Sequence, residues 1–424
     1  MENFQQYLEN NWPRERRSQI AASATEDQVR AVLRKDYLQP ADFLTLLSPA
    51  AAPLLEQMAQ RAHELTLRYF GRAVNLFTPL YVSDYCTNQC RYCGFNANNK
   101  QPRRHLSPEE AYDEAKAIAD MGLQHILLLT GDARKLSSPE YIAEVARRIK
   151  PLFASVGIEV YSMTEDEYRL MVESGVDSMT MFQETYNPEL YDWLHPVGPK
   201  KDYAFRLNAP ERAARAGMRS LGLGALLGLD EFEQDAFATG LHAWWLLRHY
   251  PGVDVGLSIP RICSHEGSFD IPHALDDRRF VQYVTALRCF LPRSSITCSS
   301  RESAFMRDHL IPLGVTRVSA GVSTAVGGRK IIKSVGMSMV KMEQYQGFAA
   351  CLSACFCIGL ATFTGMPVST THTKTTAIMG VGAEKRIRAV RWDMAGTMVL
   401  TWVLTFPGCG LLAFVFTHLF LLIM

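Results

Sequence analysis

The sequence lacks a charge excess of either sign, since 44 Lys and Arg residues face 43 Asp and Glu. A nucleic-acid binder needs a basic surplus to meet phosphates, so this balance argues against that class. The opening residues MENFQQYLENNWPRERR lack an apolar core and mix acid with base, so no secretory signal is expected there. The amino-terminal part is therefore expected in reducing cytosol, where the ten cysteines would not build a disulfide framework. Cys263, Cys289 and Cys298 stand singly in apolar or strand-like surroundings and read as small buried hydrophobes. Charge is missing altogether from residues 345–373 and 394–424, with Glu384-Lys385-Arg386-Ile387-Arg388 between them. One bilayer crossing needs an apolar run of about 20 residues, and a basic loop favours the cytoplasmic side. Two buried core helices are the alternative; the length and the absence of charge favour lipid. Up to about Gly328 charge is spread evenly, so the chain reads as two unlike parts joined.

Against that background three cysteines crowd into one loop. Cys86, Cys90 and Cys93 spell CxxxCxxC within YVSDYCTNQCRYCGF, directly after the short apolar run 78–82. A tetrahedral zinc site takes four soft ligands and a fully ligated four-iron cluster takes four cysteines. Three thiolates therefore leave one metal position open to bind and reduce something; a zinc knuckle with a distant fourth ligand is the other use of this spacing. Gly94, just after the last cysteine, permits a tight turn. Tyr92 lies between the last two cysteines and is placed to present an aromatic face to a flat base.

The 424 residues suffice for a barrel of about 250 residues with extensions. Residues 1–75 read as a helical extension, with apolar positions three and four apart at 25–34 and 51–69. From Thr78 onward short β-rich runs alternate with amphipathic stretches. Strands are predicted at 79–82, 125–130, 158–162, 178–182, 220–225, 254–259, 295–299 and 316–319, and helices at 108–121, 139–150, 165–174, 230–248 and 275–290. Eight such units predict an α/β fold, a (β/α)8-type barrel over residues 76–328. Its site belongs at the carboxyl ends of the strands. The predicted ends are polar or glycine-rich, among them Thr130-Gly131-Asp132, Met163-Thr164-Glu165, Gln183-Glu184-Thr185 and Ser299-Ser300-Arg301-Glu302.

The cysteine loop resembles that of the radical S-adenosylmethionine (SAM) enzymes. This resemblance implies a [4Fe-4S] cluster on Cys86, Cys90 and Cys93, SAM chelated at the open iron, and one-electron cleavage to methionine and a 5′-deoxyadenosyl radical. The stretches LLSPAA (46–51), PLYVSDYCTNQCRYCGF, LLLTGDARK, QETYNPELY, HPVGPKKDYAFRLNAPERAARAG, GLGALLGL and SSRESAFMRD are similar, in this order, to the tyrosine lyases, the 2-iminoacetate synthases of thiamine biosynthesis. The similarity runs to about Gly328. It implies cleavage of the Cα–Cβ bond of L-tyrosine to 2-iminoacetate and 4-cresol. It further implies a reductant such as flavodoxin or ferredoxin, and thiazole synthase as the partner that receives the imine.

Residue by residue, the resemblance implies that Gly131 and Asp132 bind the amino group of SAM, at a position where the family commonly carries Glu. It assigns Glu165 to polar groups of SAM, Gly222 and Gly224 to the adenosyl moiety, Tyr92 to the cofactor, and Ser300 and Arg301 to the amino-acid substrate. A guanidinium suits that last role because it grips a carboxylate in a bidentate pair and stays charged. The residues alone leave other readings open: Asp132 as a helix cap, Glu165 as a solvated first-turn acid, Arg301 as a surface partner of Glu302, His195 as a loop histidine. The stretch Arg261-Ile262-Cys263-Ser264 departs from the family, which tends to show a second arginine and a proline there; its loss would weaken anion binding.

Beyond Gly328 the similarity changes. GRKIIKSVGMSMVKM, GMPVSTTHT and AVRWDMAGTMVLTWVLTFPG resemble the carboxyl-terminal end of the PiT inorganic phosphate transporters, PVSTTH (367–372) being the specific string. That family pairs this repeat with one bearing an asparagine–aspartate motif, and no GANDVAN-like string occurs in this chain. The expectation for 329–424 is a helical, membrane-seeking remnant that does not transport. The barrel would then lack its last helix, whose six or so large apolar side chains would contribute on the order of 10 kcal/mol.

Overall fold

Leucine, isoleucine and valine alternating with small or polar residues give strands that bury one face under helices and turn the other inward. The computed structural model describes residues 2–262 and 269–320, with isolated positions between 349 and 380. Eight parallel strands close into one barrel in chain order. They are β1 (Asn75–Ser83), β2 (His125–Thr130), β3 (Ser155–Glu159), β4 (Ser178–Glu184), β5 (Ser220–Ala225), β6 (Asp254–Ser258), β7 (Ile296–Cys298) and β8 (Arg317–Ser319). The helices Pro108–Ala119, Pro139–Ile149, Glu165–Glu173, Phe232–His249 and Asp277–Phe290 follow their strands, close to the predicted spans. Ser107, Ser138 and Thr164 cap the first three, each side chain accepting a backbone amide of the first turn.

β3 begins and ends three residues before its predicted span of 158–162. It pairs with β2 from His125↔Ser155 to Leu129↔Glu159, and small residues that carry little strand propensity are placed there by crowding. A Cβ on Gly157 would stand 2.6 Å from Ser178 Oγ. Val160 and Tyr161, which made the stretch look strand-like, are buried outside the sheet. The Tyr161 hydroxyl donates to the Ser137 carbonyl at 2.6 Å, and the Arg134 guanidinium packs on its ring at 4.5 Å.

The chain divides into two compact units, Met1–Ser334 and Val335–Met424, and the barrel belongs to the first. Within that unit the amino-terminal helices dock on the outside of the barrel. Phe4 stacks on His242 at 3.9 Å and Phe43 on Phe290 at 4.5 Å. Arg14 grips Asp230 with two bonds of 2.5 and 2.9 Å, and Gln282 donates to the Leu46 and Ser48 carbonyls.

β1 pairs with β8 through Asn75↔Arg317, Leu76↔Val318 and Phe77↔Ser319, so the described strands form a closed ring. Leu76, which faces outward at that seam, is 48 % exposed. The last two strands are pinned by Arg288, fully buried on the helix Asp277–Phe290. Its guanidinium donates to the carbonyls of Pro292 and Ser294 before β7 and of Gly314 before β8. Cys289 and Cys298 are buried, as their surroundings implied; Cys263 lies outside the described residues.

Among the described residues no helix is long and apolar enough to cross a membrane. The stretch 394–424 lies outside the described residues. Within 345–373 only isolated helical positions are described, of which Leu352, Phe356, Leu360 and Phe363 are exposed.

Replacing Arg288 by Met leaves three carbonyls, two of them buried, without their donor. The variant should lose on the order of 3 kcal/mol of stability, read as a lower denaturant midpoint, with amide exchange of β7 and β8 accelerating before that of β2.

Candidate active site

The loop from Ser83 to Arg104 carries the three cysteines over the carboxyl-terminal mouth of the barrel. Arg103 folds it on itself, donating to the carbonyls of Asp84, Phe95 and Asn96, while Asp84 Oδ1 accepts the Arg104 amide at 2.7 Å. Asn88, 2 % exposed, ties the loop to two others. Its Nδ2 donates to Asp132 Oδ2 at 2.9 Å and lies 3.7 Å from Cys86 Sγ; its Oδ1 accepts the Lys200 amide at 2.9 Å. The Thr87 amide and hydroxyl both donate to the Asp132 carbonyl. Two glycines make this convergence possible. A Cβ on Gly131 would stand 2.2 Å from the Tyr85 carbonyl oxygen, and one on Gly198, whose φ is +110°, 2.2 Å from Asn88 Oδ1.

Cys90 is buried, while Cys86 and Cys93 are half-buried. Burial pushes the Cys90 thiol up to about 11 and raises that of Cys93, with nearby Lys200 opposing both shifts. Without a metal the Cys90 and Cys93 thiols are thus held protonated, and metal charge reverses that preference. Among the described residues no three of His, Cys, Asp and Glu gather around a single ion position. The donor set, three soft thiols spaced along one loop, fits a cluster that takes one thiolate per iron. Beside it Asp132 Oδ1 is buried with no hydrogen-bond partner among the described residues, an acceptor left over for a donor on a ligand.

Behind the loop lies a polar cluster that reading along the chain does not reveal. The Tyr92 hydroxyl meets His195 Nε2 at 2.9 Å, and His195 Nδ1 donates to the Tyr191 carbonyl at 2.7 Å; the tautomer follows from that carbonyl, which only accepts. Burial drives the His195 pKa down to about 3, with Lys200 adding to the shift, so the imidazole is neutral. Lys200 Nζ donates to the Tyr92 hydroxyl at 3.0 Å and to Glu184 at 2.5 Å, and Arg206 stands 3.6 Å from the same carboxylate. Burial alone would raise Glu184, yet the two cations hold it below its ordinary range. Glu184 sits at a bulge in β4 opposite β5. Among the described residues it is the one non-glycine residue with positive φ, 72°, a conformation that costs about 1–2 kcal/mol and is held by the two ion pairs. The Tyr92 side chain is therefore anchored through its hydroxyl, beyond the face-to-base role expected of it. His195, read as a loop residue, is fully buried.

The remaining expected residues separate. Gly222 and Gly224 face the barrel interior, where a Cβ would meet Thr180 Oγ1 at 2.6 Å and the Ser258 carbonyl at 2.7 Å. Glu165 starts its helix on the outside, in ion pairs with Arg215 at 2.8 Å and Arg169 at 3.2 Å. Ser300 donates its amide to Ser319 Oγ and offers its carbonyl to Arg307. Glu302 pairs with Arg261 through two bonds of 2.8 and 2.7 Å, and Arg261 also reaches Asp277. Arg301 keeps its guanidinium exposed at the rim, in no ion pair among the described residues.

One acid was passed over. Glu159 ends β3 and faces inward, lining with Gly157, Thr180, Ser258, Thr297 and Arg317 a cavity of about 40 Å³. Burial pushes it up to about 7; neighbouring Glu184 adds to the rise, and Arg301, Arg206 and Lys200 oppose it. Its signal, an acid two residues after Gly157 inside an apolar run, was available, but placing the strand end at Ser162 hid it.

A parallel barrel with a three-cysteine loop at its mouth defines a radical SAM enzyme, and the Radical SAM superfamily matches residues 80–239. Such enzymes use a [4Fe-4S] cluster and S-adenosylmethionine. The chain belongs to the family of 2-iminoacetate synthases, being 37% identical over 305 residues to that of Escherichia coli (strain K12), which covers 72% of this chain and 81% of the relative. A crystal structure of HydG, a maturase of the [FeFe]-hydrogenase, superposes with a TM-score of 0.72 at 30% identity, covering 76% of this chain and 74% of that one. The methylornithine synthase PylB, with a TM-score of 0.59 at 21% identity over 81% of this chain and 98% of its own, shares the fold. The phosphate transporter family matches residues 296–413. A probable low-affinity inorganic phosphate transporter of Rhizobium meliloti (strain 1021) is 41% identical over 97 residues, 23% of this chain and 29% of the transporter's length. The join of two unlike parts read from the charge pattern thus has a relative on each side.

Replacing Asn88 by Ala cuts the ties to Asp132, Cys86 and Lys200 without replacing a cysteine. The variant should bind iron roughly 10–100-fold more weakly than the parent, measured as iron retained per chain after anaerobic reconstitution and desalting. Between pH 6.5 and 3 the unfolded chain protonates its histidines while buried His195 stays neutral, so stability falls as pH drops through that window. In His195→Asn that acid-side slope should flatten, measured by urea unfolding at successive pH values.

Proposed function

We propose that the barrel cleaves the Cα–Cβ bond of L-tyrosine to 2-iminoacetate and 4-cresol. The observation that carries this reading is the unpaired Arg301 guanidinium at a rim shared with the three thiols, a cation suited to an amino-acid carboxylate. The 2-iminoacetate synthases at 36–37% identity support the substrate class. When bound, the cluster and SAM supply a hydrogen-abstracting radical. The chain's own task is then to orient tyrosine and keep out water. Cys86, Cys90 and Cys93 hold the cluster, Asp132 offers its free Oδ1 to the amino group of SAM, and Gly222 and Gly224 leave room inside the rim. Arg301 takes the carboxylate, and the Ser300 amide tie to Ser319 fixes that segment. Glu165 contributes through its ion pairs at the helix start, with no direct bond to SAM in this reading.

A reductant of the flavodoxin or ferredoxin kind supplies electrons, and the unstable imine calls for a receiving partner, thiazole synthase. The barrel works in the cytoplasm, and the charge-free stretches within 345–424 bring it to a membrane surface. The match of residues 296–413 to phosphate transporters favours a second reading for the tail, a carrier fragment containing Thr370 and His372. Phosphate uptake by vesicles bearing the chain, lost on changing either residue, distinguishes that role from a membrane anchor.

Anaerobically reconstituted full chain, given SAM, reductant and L-tyrosine, should form 5′-deoxyadenosine and 4-cresol together. Formation of neither sinks the lyase reading. Deoxyadenosine without cresol, together with products from tryptophan, moves it to another aromatic amino acid.

A further inference from the structure

We propose that Glu159 receives the ammonium group of the substrate while Arg301 receives its carboxylate, so that the barrel mouth selects zwitterionic α-amino acids. The inference rests on the amino-acid lyase reading and deepens it.

Neither side chain has a hydrogen-bond or ion-pair partner among the described residues, whereas the cations around Glu184 and Glu302 are committed; Arg317, at the amino-terminal end of the same cavity, also leaves its Nε without a partner. Lys200 is committed to Glu184 and Tyr92. Arg206 donates to the Phe182 carbonyl and faces Glu184, and Arg261 is held by Glu302 and Asp277. Glu159 makes no hydrogen bond or ion pair among the described residues, although it lies close enough to Arg301 for that cation to oppose its rise in pKa. Glu159 is half-buried; a carboxyl so placed without a donor is costly, and a charge-assisted donor on a ligand removes that cost. The register places the acid at a level a ligand can reach: Glu159 lies opposite Leu129 on β2, which lies opposite Tyr81 on β1, one residue short of the rim.

The chemistry of the donor follows from space. The cavity that Glu159 lines has about 40 Å³, room for two or three waters and too little for an aromatic ring. The cavity lies beneath Glu159, toward the strand starts at His125, Ser155, Ser178 and Arg317, so a ligand from the mouth meets the carboxyl first, its ring staying above the rim while a small cationic group reaches down. In an α-amino acid the ammonium is one carbon from the carboxylate, so an acid and an arginine at one mouth meet both charges together. A phenol hydroxyl lies at the far end of the side chain.

The test is calorimetric binding to the full chain, loaded anaerobically with its cluster and given SAM without reductant, so that nothing turns over. The probes are L-tyrosine, 3-(4-hydroxyphenyl)propionate, which lacks the ammonium, and tyramine, which lacks the carboxylate. Glu159→Gln should weaken tyrosine and tyramine by roughly tenfold, the worth of one charge-assisted bond, and leave the propionate unchanged. Arg301→Gln should weaken tyrosine and the propionate and spare tyramine. Should the glutamine variant melt early or lose its cluster absorbance, Glu159→Asp, which keeps the charge, is compared with Glu159→Ala; retained discrimination by the aspartate supports the assignment. Equal weakening of all three ligands, or of none, overturns it while tyrosine binding by the parent leaves the lyase reading standing. If the parent prefers tryptophan to tyrosine, the substrate reading fails, and the same comparison with tryptophan and indole-3-propionate still decides the role of Glu159. A parent chain that binds no α-amino acid overturns both.

Discussion

Asn88 is the knot on which the site depends. Its side chain joins the cysteine loop after β1 to Asp132 after β2 and to Lys200 in the segment after β4, and the backbone of each loop passes so close that only glycine fits at Gly131 and Gly198. A cluster held by three thiols on a loop needs those thiols fixed before metal arrives, because every soft degree of freedom lowers affinity and blurs the potential. Here that rigidity comes from hydrogen bonds, among them those to the Asp132 carboxylate and from the Arg103 guanidinium, and from steric contact at the two glycines.

Around the knot the barrel concentrates charge that its own fold has to satisfy. The usual filling of layered branched side chains is replaced beneath the mouth, toward the strand starts, by glycine, serine and threonine, leaving a cavity with one acid at its upper end. Glu184 is made bearable in a left-handed conformation by Lys200 and Arg206. Lys200 in turn orders Tyr92 within the CxxxCxxC stretch, so the charge balance of the interior and the placement of the cysteines are one problem. At the opposite end of the strands Arg288 draws in the loops before β7 and β8, at the seam where Leu76 is left exposed.

Much of the barrel was legible along the chain. Seven of the eight strands lie within or overlap closely their predicted spans, because parallel strands buried on both faces read as short apolar runs between turn residues. β3 was displaced because Val160 and Tyr161 look like strand residues in a string but are buried outside the sheet. Glu165, expected at the rim after the third strand, stands in surface ion pairs with Arg169 and Arg215, while Glu159 ends β3. In the same way Glu302, adjacent to Arg301 in sequence, bonds to Arg261, 41 residues away.

What the sequence by itself determined is the alternation that makes a barrel and the spacing that puts three thiols on one turn of chain, since both are short-range patterns of residue type. What only the tertiary structure decided is who partners whom: that Tyr92 bonds His195, 103 residues away, that Lys200 answers Glu184, and that Glu159 and Arg301 are left without partners. The reason is physical. Hydrogen bonds and ion pairs act over a few ångströms of space, and closure of the ring brings into that range residues that no local pattern connects.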